Sequence, residues 1–132
     1  MVLTLDIVTP ERRVLSISCS EVRAPGVLGG FGIRHGHTPF LSALEPGQLT
    51  YVAGGQEYHY AIGGGFLQVT DNRVTALADT AEASTEIDIA RAQRAFQDAT
   101  ERLRRTTEHD PSYALEAARV RRAAARLNVA GK

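Results

Sequence analysis

A chain of 132 residues with 43% hydrophobic and 23% charged positions suits one compact domain, or a small domain with an appendage. Its 15 basic and 15 acidic residues cancel, which excludes a general nucleic-acid binder, because such proteins carry an excess of Lys and Arg against phosphate. A single cysteine, Cys19, cannot close an intrachain disulfide, and no apolar run reaches the roughly 18–20 residues of a membrane span.

The opening "MVLTLDIVTPERR" places an Asp early and no basic start before an apolar block. It does not read as a secretory signal, and a reducing cytosolic compartment is expected, with Cys19 as a small buried filler. Up to about Ala83 the apolar pattern has period two. "LTLDIV" alternates from Leu3, Val14, Ile17 and Val22 mark extended runs, and "FLQVT" and "RVTALA" repeat the motif. Turn residues punctuate the chain at 24–30, 45–48, 53–56, 62–65 and 70–73. Eight to ten short strands with turns this dense predict a sandwich or barrel. The glycine clusters match neither G-x-G-x-x-G nor a phosphate-cradling G-x-x-x-x-G-K-[ST], so they read as turns and bulges.

In the loop "GIRHGHTPF", 32–40, His35 and His37 point to one side of an extended chain. Zinc needs at least three protein ligands, and no third lies at a suitable spacing. No G-x-S-x-G or similar nucleophile motif offers a partner for a histidine base either, and no carboxylate dyad is recognisable, so a stand-alone enzyme is not supported. A surface loop shaped by Gly36 and Pro39 remains.

From Ser84 the composition changes: Gly is absent until Gly131 and Pro occurs once, at Pro111. Residues 1–83 hold 5 basic and 8 acidic side chains, residues 84–132 hold 10 and 7. Ile89, Ala92, Phe96, Ala99 and Leu103 line one helix face, and Tyr113, Ala117, Val120, Ala124 and Leu127 line another. Between them, in "EHDPS", Asp110 is placed to cap the second helix and Pro111 to occupy its first position. The expectation is an α+β protein: a β-sandwich over 1–83 and an antiparallel two-helix hairpin over 84–132. Its seam is mostly alanine, and a buried methyl removes far less surface from water than a Leu or Phe. Alanine and arginine are good intrinsic helix formers, so these helices suit undocking without melting.

"TEIDIARA", 85–92, has two readings. Thr85 and Asp88 resemble a capping box, with Asp88 and Arg91 paired on the helix surface. Alternatively Asp88 accepts a hydrogen bond from a ligand while Arg91 meets phosphate. Arg102, Arg104 and Arg105, then Arg119, Arg121, Arg122 and Arg126, form either a solvated face or one that seeks an anionic partner.

Four segments in order, "LDIVTPER" from Leu5, "APG…FGI..GHTPFLSALEPGQL" from Ala24, "IGGGFLQVTDNRVTALADTAE" from Ile62 and "EIDIARA" from Glu86, resemble the epsilon subunit family of bacterial F-type ATP synthases over nearly the whole chain. The resemblance implies a ten-stranded β-sandwich followed by a helical hairpin, in a non-catalytic rotor subunit that couples proton or sodium transport to ATP synthesis. It implies a sandwich that binds the gamma subunit and the c-ring, with Gly36, His37, Thr38 and Pro39 at the gamma contact and His35 outside it. It implies a hairpin that extends into the catalytic head of alpha and beta subunits and inhibits ATP hydrolysis, with Arg119, Arg121, Arg122 and Arg126 facing acidic beta residues. No cofactor is required. In some relatives regulatory ATP binds the folded hairpin, which here points to Glu82, Ile87, Asp88, Arg91, Ala92, Arg122 and Arg126; Asp98 departs from that pattern, standing where ATP-binding relatives can carry an arginine. The implied place is peripheral, on the cytoplasmic side of the bacterial inner membrane, with no metal and no nucleic acid.

Overall fold

The computed structural model describes residues 2–132. Strands β1 (Leu3–Val8), β2 (Arg13–Cys19), β3 (Glu21–Gly26), β4 (Gly29–Arg34), β5 (Phe40–Ala53), β6 (Gln56–Thr70), β7 (Arg73–Ala78) and β8 (Ala81–Ala83) precede helices α1 (Ile89–Arg104) and α2 (Tyr113–Val129). The sheet runs β2-β1-β7-β6-β5-β3-β4, with β8 on β6. Every pairing is antiparallel except β1 with β7.

Period-two patterning sends Leu3, Leu5 and Ile7 into one core with Val22, Ile33, Leu49, Leu67, Val69 and Val74. Cys19 joins them, and burial pushes its thiol pKa up, so it behaves as filler. Eight strands form where the family resemblance implies ten, because β5 and β6 run straight through the turn signals at 45–48 and 62–65. Each does the work of two. β6 pairs β8 through Tyr60–Ile62, then β7 through Gly65–Thr70. Gly65 makes this change of partner feasible: its φ is +130°, and a Cβ there would stand 2.0 Å from the Leu77 carbonyl oxygen.

The helices form a hairpin whose base joins Ala92 to Val129 and whose tip joins Arg102 to Glu116. Its local chemistry differs from the expected register in two places. Asp88, and not Thr85, is the N-cap of α1, accepting from the Arg91 backbone N at 3.1 Å. Helix α2 begins at Tyr113, after Pro111, because Asp110 Oδ1 accepts from the Ser112 backbone N at 2.9 Å and from Ser112 Oγ at 2.8 Å, which folds the chain into a turn first. The expected seam is also redistributed. Ala92 and Ala99 are buried and Ile89 is 51% exposed, while in α2 the buried positions are Glu116, Ala123, Ala125 and Val129. That helix lies against α1 on one side and against β5 and β6 on the other, so its covered surface is wider than one stripe.

Gly65→Ala is expected to lower the unfolding midpoint in denaturant sharply, since the backbone strain alone is about 1–3 kcal/mol before the clash with Leu77. The two Ser112 hydrogen bonds hold the Asp110 carboxyl below the usual carboxylate range. A depressed folded-state pKa stabilises the turn above the unfolded value and loses that contribution as pH falls through the folded one. Acid titration followed by NMR is therefore expected to loosen the start of α2, and Asp110→Asn to remove the pH dependence.

Candidate functional site

Residues 35–39 connect β4 to β5, and the fold holds them firmly. The turn between β6 and β7 places Asn72 at φ 60°, a left-handed conformation that Asn tolerates better than most residues. From there its side chain reaches across the sheet end: Oδ1 accepts from Gly36 N at 2.7 Å, and Nδ2 lies 3.2 Å from His35 Nε2. The Asn72 carbonyl accepts from Thr4 N at 2.9 Å, so one residue ties three chain segments together. His37 Nδ1 donates to the Thr38 carbonyl at 2.7 Å, which leaves Nε2 as an acceptor. Its ring meets Phe40 edge-on at 5.5 Å, and Phe40 meets Phe31 likewise at 5.1 Å. Gly36, Thr38 and Pro39 are exposed. The four expected interface residues lie in one preset loop, and the exposed His35 is held on its edge by Asn72. Sequence reasoning missed Asn72, read only as part of the turn "TDNR"; Asp-Asn before a strand was the available signal.

Beside this platform an open hollow of about 950 Å³ is lined by Arg23, Phe31, Arg34, His35, His37 and Glu57, among others. Its charges pair internally, Arg23 with Glu57 and Arg34 with Glu21 at 2.8 Å. The guanidinium of Arg23 holds the Glu57 carboxyl below its usual range. One hydroxyl meets an imidazole here, Thr50 Oγ1 to His59 Nδ1 at 2.9 Å, but Thr50 is 4% exposed and shared with Gln48, so it is not open to a substrate. Among the described residues no three His, Cys, Asp or Glu side chains cluster as metal ligands. Nor, among the described residues, is any helix long and apolar enough to cross a membrane.

The second candidate region is the face where the hairpin meets the sandwich. Glu82, the middle residue of β8, takes Arg126, with Nε to Oε1 at 2.6 Å and Nη2 to Oε2 at 3.4 Å. Arg122 lays its stem over Gly63, where a Cβ would stand 3.1 Å from Arg122 Cδ. Ile87 and Ala92 are buried in the small cluster at the hairpin base. Asp88 spends Oδ1 on the Arg91 backbone, and Arg91 is exposed. The seven residues of the expected nucleotide set thus gather near one end of the hairpin, but Asp88 and Arg126 are engaged within the protein. On the arginine face of α2, Arg119 pairs with Glu116 at 2.8 Å, and Glu116 also takes Arg102 at 3.3 Å. Arg121 is exposed and has no carboxylate partner among the described residues.

The β-sandwich domain model of the ATP synthase delta/epsilon chain matches residues 2–84, and its long α-helix domain model matches residues 85–131. The ATP synthase epsilon chain of Anaeromyxobacter dehalogenans strain 2CP-1 is 69% identical over 132 residues, the whole of both chains. That of Myxococcus xanthus is 47% identical over 128 residues, covering 97% of this chain and 94% of the relative. A chain in the Euglena gracilis mitochondrial ATP synthase structure (OSCP/F1/c-ring, rotational state 1) shares the fold at a TM-score of 0.81 and 21% identity, over 96% of this chain and 79% of that one.

Asn72→Gly keeps the turn conformation and deletes the side chain that binds Gly36. Hydrogen exchange is expected to show the Gly36 amide losing about fivefold or more in protection, as loss of one hydrogen bond of about 1 kcal/mol implies, while the core amides of β1 and β7 hold theirs.

Proposed function

The chain belongs to the ATP synthase delta/epsilon-chain family, and from that membership we infer that it serves as the non-catalytic central-stalk subunit of an F-type ATP synthase. Its sandwich docks on the gamma subunit and the c-ring, and its hairpin regulates the catalytic head. The working place is peripheral, on the cytoplasmic side of a bacterial inner membrane.

One observation carries the regulatory part: the sandwich and the hairpin do not share a core. The sandwich cluster contains seventeen buried residues, from Leu3 to Ala78. The hairpin is rooted in a separate cluster of Ala61, Ile87, Ala92 and Val129. Moving the helices therefore leaves the sandwich core intact, and the cluster uncovered is small, two alanines with Ile87 and Val129, with Leu127 and Ala130 against it, so little apolar area is exposed. High helix propensity preserves the rods once apart. A rotor subunit needs this combination of a rigid mount and a detachable arm.

The gamma contact falls on Gly36, His37, Thr38 and Pro39. The loop is preset by Asn72 and by the aromatic stack, and exposed Leu41, Phe66 and Leu77 extend an apolar surface along the neighbouring strands. With α2 docked, Arg119 and Arg126 are neutralised by Glu116 and Glu82. Extension releases Arg126 from the sandwich, which adds to Arg121 a cation for acidic residues of the beta subunits. Coupling of ion flow to ATP synthesis is then the work of the assembled machine, to which this chain contributes position and restraint.

The full chain is expected to copurify with its cognate gamma subunit, and His37→Ala to weaken that capture several-fold. In the assembled enzyme, a disulfide that staples the hairpin to the sandwich is expected to raise ATP hydrolysis, and reduction to restore the restraint. Failure of the wild-type chain to bind gamma would remove the reading.

A further inference from the structure

Strand β4 is an open edge. It ends the strand order and pairs only with β3, antiparallel over six residue pairs without a shift in register. Gly26 and Gly29 face each other across the two-residue turn, so Gly29, Phe31 and Ile33 exchange hydrogen bonds with β3, and the amides of Gly30, Gly32 and Arg34 point away from it. Two facts agree with that phase. Pro25, opposite Gly30, has no N–H to donate, and the Arg34 carbonyl accepts from His37 N at 3.1 Å. Left along the edge, among the described residues, are the N–H groups of Gly30, Gly32 and Arg34 and the carbonyls of Gly30 and Gly32. All three residues are exposed.

Natural sheets blunt such an edge with a proline, a charge, a bulge or a very short strand. Up to Arg34 the run GGFGI carries none of these. At the other end of the sheet, β2 has no glycine and turns Val14, Leu15 and Ile17 against the core. Nor does the fold itself require glycine at 30 or 32: neither has a positive φ, and a Cβ would meet nothing nearer than 3.8 Å at Gly30 and 3.7 Å at Gly32. Glycine weakens a strand, and one that its own fold does not need marks a place where another backbone comes close. The open hollow beside the 36–39 loop is lined by Gly30, Gly32 and Arg34 as well as by Gly36 and His37, so this edge and the gamma contact face one space.

We propose that β4 receives an extended segment of the gamma subunit as an added strand, bonded main chain to main chain at Gly30, Gly32 and Arg34. The inference rests on the gamma contact proposed above for residues 36–39 and gives it a second, backbone component. In such pairing the main-chain bonds supply affinity, and the hollow gives room for alternate side chains of the incoming strand. The site therefore asks of gamma an extended run without proline at the paired positions, more than any one side chain.

The test is residue-resolved hydrogen exchange on the full-length chain, alone and in complex with its cognate gamma subunit, with no c-ring present. The Gly30, Gly32 and Arg34 amides are expected to exchange freely in the chain alone and to slow about tenfold or more on binding. Phe31 and Ile33, already bonded to β3, are expected to change little. That alternation is the mark of an added strand and does not arise from side-chain contact. Gly32→Pro deletes one outward N–H at an edge that tolerates proline, and is expected to weaken gamma capture about five- to tenfold while the core amides of β1 and β7 keep their protection. Gly32→Ala keeps the N–H and is expected to weaken capture less. Gamma captured with the three amides still exchanging freely overturns the proposal and leaves the subunit assignment standing. So does protection that grows with concentration in the absence of gamma, which makes a second copy the occupant, or that appears only when the c-ring is added. A chain that captures no gamma removes the assignment and the proposal together.

Discussion

The β5–β6 ladder is the constraint on which everything else rests. Thirteen residue pairs, from Phe40 with Val69 to Ala53 with Gln56, join these two strands. One face of the ladder supplies Leu44, Leu49, Tyr51, Tyr60, Ile62, Leu67 and Val69 to the sandwich core. The other supplies the floor for α2, where Ala61 and Gly63 keep the surface low enough for a helix to settle. Two strands thus build the mount and the berth at once. A distortion at Gly63 or Gly65 is felt on both sides, whereas a change in α1 need not reach the core.

How much of this was legible in the sequence follows from the range of each interaction. The strands are written in local alternation, and Leu3, Leu5 and Ile7 or Val74, Ala76 and Ala78 read directly as buried faces. The helices are written in composition. The strand count was harder, because Pro46 and the glycines at 63–65 carry the usual marks of turns; only pairing across the sheet shows that they bend long strands instead. Caps slipped by a few residues for a similar reason. Thr85 and Asp88 are both good capping residues, and the choice between them is made by Ile87, buried in the cluster at the hairpin base. The four residues of the 36–39 platform were named from resemblance, while the hold of Asn72 on that loop spans 36 positions and leaves no local trace.

The arginines of the hairpin show the same limit in electrostatic form. By count, α2 has four arginines against the single acid Glu116, which suggests a bare cationic face. In the fold that acid is 8% exposed and serves Arg102 and Arg119 together, and Glu82 arrives from the sandwich to serve Arg126. A buried carboxylate flanked by two guanidinium groups costs much of its attraction in desolvation, so it specifies how the helices align more than it strengthens them. Alanine methyls then fill the remainder of the seam. The result is an arm whose register is well defined and whose grip is modest.

The bonds from Asn72 to Gly36 and His35 have a mechanical meaning. A connector this short, stitched to the far hairpin of the same sheet, has little freedom left to surrender when another surface closes over it. Such a connector offers a stiff seat with almost no backlash, and the compliance of the molecule is left to the helices.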